Sequence, residues 1–555
     1  MTALSDLRRE LSYGARLDIA QRARLAADDT VGGGNALRSA VACSNDAHAD
    51  VIRTLVPVRG TDGRDRDAFS QNDLAELVDA WSAWYAGQGV APRDRIGVFL
   101  PDSFDYWIHF QAIAQLGAIG VLVNSNAGRD VAIGLCERAG VVGLYADADR
   151  LERLGDPHEA LPSLRWVVRA EDVPAPPAAS LDDSLRFRHH ESDPVVILHS
   201  SGTTGHPKAV THTHGSITAG PKFRLTDHRE APNALMMTAL PQSHLGCIAY
   251  TTYAVLAGTP TVAASDLPGV ALSEAIAKHR PTSVMAFGHA YSELAGAAPA
   301  PGALDSVDAW VSMGDAVHHA HITALLDRRS PHLPSPKALD RLGTSELGWG
   351  ALLYTRDRDT PRVDRCGGYP TGAAEVVVLT PDGSLAPTGT VGLLGARGPA
   401  ITPGYWNDSD TTVRSMLGGY WLTGDMAFTD DEGRFYQVDR VVDVIRTAEG
   451  PGYSVLMEEI LLAELPEIRE CAVVAGRRGS KTVAVAVCET VPGTDSADLR
   501  ERANTLLTAA GHPPLALLDV ADADRPLPVG VTGKVLKREL RARYAALPEG
   551  ADSTA

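Results

Sequence analysis

Ser200-Ser201-Gly202-Thr203-Thr204-Gly205-His206-Pro207-Lys208, or SSGTTGHPK, puts four hydroxyls, two glycines, a proline and a lysine into nine positions. Successive backbone N–H groups in a turn or at a helix N-terminus make a cradle for phosphate oxygens, and glycine lets that backbone come close. Lys208 adds a mobile positive charge. The Walker phosphate loop ends in Gly-Lys-Ser/Thr. Here Pro207 precedes Lys208 and Ala209 follows it, which excludes that loop. By residue type alone a hydroxyl-rich surface turn also fits, and the rest of the chain has to decide.

The 555 residues exceed what one core supports, so at least two domains are expected. A hydrophobic share of 44%, a charged share of 22%, 52 glycines and 35 prolines describe a globular chain, neither disordered nor fibrous. No apolar run reaches membrane-spanning length, and MTALSDLRRELSYGARLD has no basic head followed by an apolar core. A cytoplasmic protein with no membrane partner is expected. The six cysteines (Cys43, Cys136, Cys247, Cys366, Cys471, Cys488) are scattered without a Cys-x-x-Cys pair, which argues against a disulfide framework and a structural zinc site. A net charge of −18 argues against nucleic acid as a general partner. Two basic groups stand out, Arg477-Arg478-Gly479-Ser480-Lys481 and KVLKRELRAR from Lys534 to Arg543. Each is either a solvated turn or helix face, or a contact for a small anion.

Apolar residues at Leu74, Leu77, Val78, Trp81 and Tyr85 predict an amphipathic helix with Ser70 as its N-cap and Gly87 past its end. Strand Arg95–Leu100, helix Phe104–Leu116, strand 119–123, helix Val131–Arg138 and strand Val141–Tyr145 follow. This alternation predicts doubly wound parallel sheets covered by helices. From Ala386 to about Gln437, short strand-like segments and turns predict a β-rich subdomain. After Arg440 the predicted elements are a strand-like VVDVIR, a glycine-rich loop, a helix at Met457–Leu465, strands at Ala472–Ala475 and 482–487, and two more helices. The fold class expected is therefore α/β, with a large N-terminal domain (1–440) and a small mobile α+β lid domain (441–555).

In chain order SSGTTGHPK is joined by PQSHLG (241–246), SMGDAV (312–317), LGTSE (342–346), ITPGYWN (401–407), LTGD (422–425), VDR (438–440) and VTGKVLKREL (531–540). These eight stretches resemble the ordered motifs of the adenylate-forming superfamily, which contains acyl-CoA synthetases, aryl-CoA ligases, peptide-synthetase adenylation domains and beetle luciferases. The resemblance covers most of the chain from about Ser70 onward. It implies activation of a carboxylic acid as acyl-AMP by ATP with Mg2+, then transfer of the acyl group to a thiol.

By that resemblance Ser201, Thr203, Thr204 and Lys208 hold the β- and γ-phosphates, and Glu346 binds Mg2+. Gly314, Asp315, Ala316, Gly343, Thr344 and Ser345 line the adenine side, and Asp425 accepts the ribose hydroxyls with Arg440 beside it. Lys534, on the lid, reaches the carboxylate and α-phosphate, and Asp443 is the hinge. His244 either lines the acyl and thiol meeting point or is a core histidine. Gly452 and Tyr453 belong to the loop on the CoA side, and Arg477 and Arg478 either contact CoA phosphates or are solvated turn charges. Singly, Asp425 also suits an Asx turn, Glu346 a helix cap and Arg440 a surface ion pair.

PQSHLGCIAYTTYA has no acidic residue to pair a substrate ammonium, so the acid expected is a bulky apolar one without an α-amino group. The expectation is an acyl-CoA ligase, monomer or homodimer, serving a bacterial natural-product pathway, with CoA as the default thiol. Three departures stand against the family pattern. Leu342 replaces the aromatic that stacks on adenine, and Gly314-Asp315-Ala316-Val317 replaces Gly-Ala-Pro-Leu. The loop Arg446 to Tyr453 is lengthened and followed by Val455-Leu456-Met457-Glu458-Glu459 without the usual proline. They leave room for an enzyme that forms the thioester from a preformed acyl-adenylate. Readings of another class are a non-catalytic nucleotide-binding protein and an oxygen-dependent light emitter.

Overall fold

The computed structural model describes residues 13–199, 208–297, 299–314, 317–522, 524–530 and 535–548. Ser201, Thr203, Thr204, Asp315, Ala316 and Lys534 lie outside the described residues.

The predicted helix after Ser70 spans Gln71–Gly87 and is fixed by a capping box: the Ser70 side chain accepts from the Asp73 N–H, and the Asp73 carboxylate accepts from the Ser70 N–H. The alternation that follows forms one sheet in the order Trp166–Arg169, Gly143–Ala146, Arg95–Phe99, Ile119–Leu122, Pro194–His199 and Ala209–Thr213. The first five strands are parallel and the last is antiparallel. Between them run Asp105–Gln115, buried along its length, and Arg129–Ala139, which Gly140 ends in the left-handed conformation at φ 65°.

A second sheet begins with a parallel set in the order Asp50–Arg59, Thr261–Ala263, Met236–Ala239, Ser283–Ala286, Ala309–Met313 and Lys337–Leu342. The strands expected from Ala386 onward are present, but they do not form a free-standing subdomain. They begin at Glu375–Leu379, and Cys366–Pro370 pairs both with Leu352–Arg356, which runs antiparallel beside Lys337–Leu342 at the end of the parallel set, and with Phe435–Arg440. The two regions thus make one 14-stranded sheet. Short unpaired strand edges expose backbone groups, and joining the sheets removes one edge from each.

Beyond Arg440 the stretch predicted as a strand is mostly a turn. The Val441 N–H donates to the Gly424 carbonyl and the Asp443 N–H to the Arg440 carbonyl, so strand geometry starts only at Ile445–Thr447, paired with Gly450–Gly452. Helix Ser454–Glu464 packs on a sheet of Ile468–Arg478, Lys481–Thr490 and Leu515–Val520. Its buried cores, around Met457, Leu461, Val473 and Leu499 on one face and Val474, Val485 and Leu540 on the other, contain only residues from Ile445 onward. The parallel strand Leu515–Val520 was not expected. Its signal is the apolar run LALLDV after two prolines. Of the basic run starting at Lys534, helix occupies Lys537–Arg543. No described helix is long and apolar enough to cross a membrane.

Candidate active site

A cavity of about 700 Å3 lies where both large sheets and the C-terminal region converge, lined by residues from each. Its floor is strand Lys337–Leu342, which opens at Gly343 and Thr344 into a single 3-10 turn, Ser345–Leu347. Thr344 caps that turn by accepting from the Leu347 N–H at 3.3 Å. Gly348 then takes φ 70°, and a Cβ there would lie 2.0 Å from the Ala400 carbonyl oxygen. The turn presents Glu346, whose Oε1 accepts the Tyr405 hydroxyl at 2.9 Å. The Lys208 ammonium donates to the same hydroxyl at 3.3 Å and sits 4.8 Å from the Tyr405 ring centroid. Burial, then the Glu346 charge, push the Tyr405 phenol up, so it stays a neutral donor. Lys208 and Glu346 are therefore held about one hydroxyl, which links the end of the hydroxyl-rich loop to the Leu342–Glu346 motif. Tyr405 stands inside ITPGYWN but carried no assigned role in the sequence.

Asp425 and Arg440 face each other across the antiparallel pair Tyr420–Thr429 and Phe435–Arg440. The Asp425 side chain is 3% exposed, its Oδ1 3.2 Å from the Arg440 Nε and accepting from Gln437 Nε2 at 3.0 Å. Both residues line the cavity, as do Gly314, Gly343, Thr344 and Ser345. The carboxylate is thus fixed by charge and hydrogen bond on a rigid strand, the setting a double acceptor for a sugar diol needs.

The opposite wall comes from helix Leu245–Ala257, buried throughout. His244 is its N-cap: Nδ1 accepts from the Gly246 N–H at 3.1 Å, and the ring stands edge-on to Phe287 at 5.0 Å. His244 thus caps its helix and lines the cavity. Further along the same helix, Tyr250 stacks on Trp349 with centroids 4.5 Å apart and planes 12° from parallel.

The C-terminal region closes the remaining side with Glu458, Glu459, Lys537, Arg538 and Arg541. The Lys537 ammonium lies 2.7 Å from Glu458 Oε1 and donates to Ser454 Oγ at 2.5 Å. The Ser454 N–H donates in turn to Asp439 Oδ2 at 2.6 Å. Burial pushes the Asp439 carboxyl up to about 7, against the attraction of Lys537. Asp443, the predicted hinge, pairs with Arg541 of the last helix. Glu459 reaches helix His319–Asp327, where His318 Nδ1 meets Oε2 at 2.7 Å and the His319 N–H donates to Oε1 at 2.9 Å. Lys537 was missed in the sequence, although it lies three positions beyond Lys534 in the same basic run.

Gly452, Tyr453, Arg477 and Arg478 are not on the cavity wall. Gly452 packs beneath Pro513, the Tyr453 ring meets His512 edge-on at 6.3 Å, and Arg477 and Arg478 donate to the Ser480 and Ala516 carbonyls.

Residues 53–406 match the family model described as AMP-binding enzyme. The chain belongs to the AMP-binding enzyme family. This AMP-binding enzyme is 36% identical to a 3-aminoavenalumate diazotase from a Streptomyces species, over 95% of this chain and 98% of that one. It is 28% identical to a 3-amino-2-hydroxy-4-methoxybenzoate diazotase from Streptomyces cremeus, over 85% and 89% of the two chains. Among solved structures, the anthranilate CoA ligase AuaEII in complex with anthranoyl-AMP superimposes with a TM-score of 0.78 at 18% identity, covering 95% of this chain and 99% of that one. The adenylate-forming α/β fold expected from the motifs is therefore present, and the AMP-binding enzyme is an adenylate-forming enzyme.

Proposed function

We propose that this adenylate-forming enzyme is an ATP-dependent diazotase, which activates nitrite and joins its nitrogen to the amine of an amino-substituted aromatic acid. The observation that carries this reading is the likeness to a diazotase over nearly the full length of both chains. A diazonium group contains the amine nitrogen and a second nitrogen at the oxidation level of nitrite, so no external oxidant is required. Nitrite, like a carboxylate, is a small oxyanion able to attack the α-phosphate of ATP, giving an O-nitroso adenylate and pyrophosphate. The amine lone pair then attacks the nitroso nitrogen and the N–O bond to AMP breaks. The resulting N-nitrosamine takes up a proton, loses water and leaves the diazonium ion.

The site's residues suit the first step. Lys208 brings a cation to the phosphates, Asp425 and Arg440 hold the ribose, and Glu346 supplies one hard oxygen ligand. No cluster of three or more metal-ligating side chains occurs among the described residues, which fits Mg2+ taking most of its oxygens from phosphate. When bound, that ion offsets charge on the phosphate oxygens. The Tyr250–Trp349 slab suits a flat ring as the amine partner.

The second reading is the acyl-CoA ligase of the motif resemblance, favoured by His244 on the cavity wall. Incubating the protein with ATP, Mg2+, 15N-nitrite and aminoaryl acids, with and without CoA, separates the two. A diazotase releases AMP only when nitrite is present and gives a 15N-labelled diazo product. AMP release and acyl-CoA formation without nitrite would overturn it in favour of the ligase.

A further inference from the structure

Beside the Tyr250–Trp349 slab the charges do not balance. Arg22 and Arg224 both pair with Glu230, at 3.1 and 3.2 Å, and Tyr253 donates to that carboxylate as well. Glu230 is thus fully engaged. Arg341, on the floor strand and on the cavity wall, has no ion-pair or hydrogen-bond partner for its guanidinium among the described residues. Asp227, at the exposed end of its helix, attracts it only from a distance. The side chain runs along Gly350, where a Cβ would stand 3.4 Å from Arg341 Cβ and 3.6 Å from Nη1, next in sequence to Trp349. The Tyr250 hydroxyl is buried and also lacks a partner. Burial, then the charge of Arg224, draw His228 down to about 4.

Arg341 is part-buried on the cavity wall, with its Nε and the Tyr250 hydroxyl both buried donors without an acceptor among the described residues; such donors are costly, and a planar carboxylate fits the fork geometry of arginine. Resting on the diazotase reading, we infer that Arg341 and the Tyr250 hydroxyl form a carboxylate-binding subsite for an aminoaryl acid. The carboxylate is held there as a recognition group and is not the group activated. Arg341 and Thr344 are three positions apart, at most about 10 Å along the chain, comparable to one aromatic ring with short substituents. An acid anchored at Arg341 therefore extends its amine toward the adenylate side at Thr344 and Glu346.

Calorimetric titration of the full chain with 3-aminobenzoate, 3-aminocinnamate and their methyl esters, without ATP or nitrite, tests the subsite apart from the reaction. Each acid that binds should do so at least about tenfold more tightly than its ester. Arg341→Gln should weaken the acid by about 10- to 100-fold and erase the preference over the ester, and Arg341→Lys should restore part of it. Tyr250→Phe, which keeps the slab, should weaken the acid by a smaller factor and serves if the arginine variants fail to fold. Equal binding of acids and esters, retention of the preference in Arg341→Gln, or failure of every acid to bind overturns the inference. With 18O in the carboxylate, label appearing in AMP would overturn it too. A preserved acid preference without nitrite-dependent AMP release would instead remove the diazotase reading and leave the carboxylate subsite standing.

Discussion

Glu346 stands in the cavity with one hydroxyl donor and Lys208 beside it. Glu346→Gln keeps the shape and the Tyr405 contact but removes the charge a hard cation needs, so the rate of ATP-dependent AMP release should fall by about 100- to 1000-fold. A melting temperature within a few degrees of the parent would show that the loss is chemical. Gly348 tests the scaffold at the same spot. Its φ of 70° and the 2.0 Å approach to the Ala400 carbonyl leave no room for a side chain, so Gly348→Ala should destabilise by about 2 kcal/mol or more in denaturant unfolding. At this scale the sequence was readable where a residue acts through its own type and neighbours, as Ser70 does with Asp73 three positions on. It was silent on Arg341, because a strand arginine is ordinarily solvated and only the tertiary packing, with Gly350 along its side chain, sets this one in the cavity wall.

Elements follow the same division. Helix Gln71–Gly87 starts where its cap predicts, and Ser70→Ala should cost about 1 kcal/mol in thermal or denaturant unfolding by orphaning the Asp73 N–H. Strands Arg95–Phe99 and Ile119–Leu122 and the helix between them lie within a residue of their expected bounds, since continuous apolar runs and helical periodicity are local signals. VVDVIR reads as a strand by composition and becomes a turn, because the Gly424 and Arg440 carbonyls take its first N–H groups. The β-rich stretch was legible as strands but not as part of the larger sheet. Which edge a strand pairs with depends on partners far along the chain, as Cys366↔Tyr436 does.

At the scale of the molecule, the C-terminal region is latched over the cavity by the buried His318–Glu459 pair. Burial alone would pull the His318 imidazole down, but Glu459, Glu470 and Glu458 carry it above its ordinary 6.5. Burial alone would push the Glu459 carboxyl up, but the His318 bond and charge, the His319 N–H and Arg365 draw it from 4.5 to about 2. His321, Arg356 and Arg362 also face this contact. The raised histidine stabilises docking fully below 6.5 and loses that contribution as pH climbs through its folded value. The depressed glutamate contributes fully above 4.5 and loses its part as pH falls toward 2. Docking should therefore be tightest between about pH 4.5 and 6.5 and loosen in alkali. Proteolysis at the exposed Val442 should be faster at pH 9 than at pH 6, and His318→Gln should flatten that contrast. The sequence by itself determined the order of the adenylate-forming motifs, the α/β alternation and the helix caps, because each is written in residue types a few positions apart. Tertiary structure alone decided that two sheets fuse, that Lys537 is paired with Glu458, that Glu459 closes on His318 and that Arg341 faces the cavity. A charge's role depends on what is packed around it, and the partners that do so here lie as far as 141 residues away along the chain.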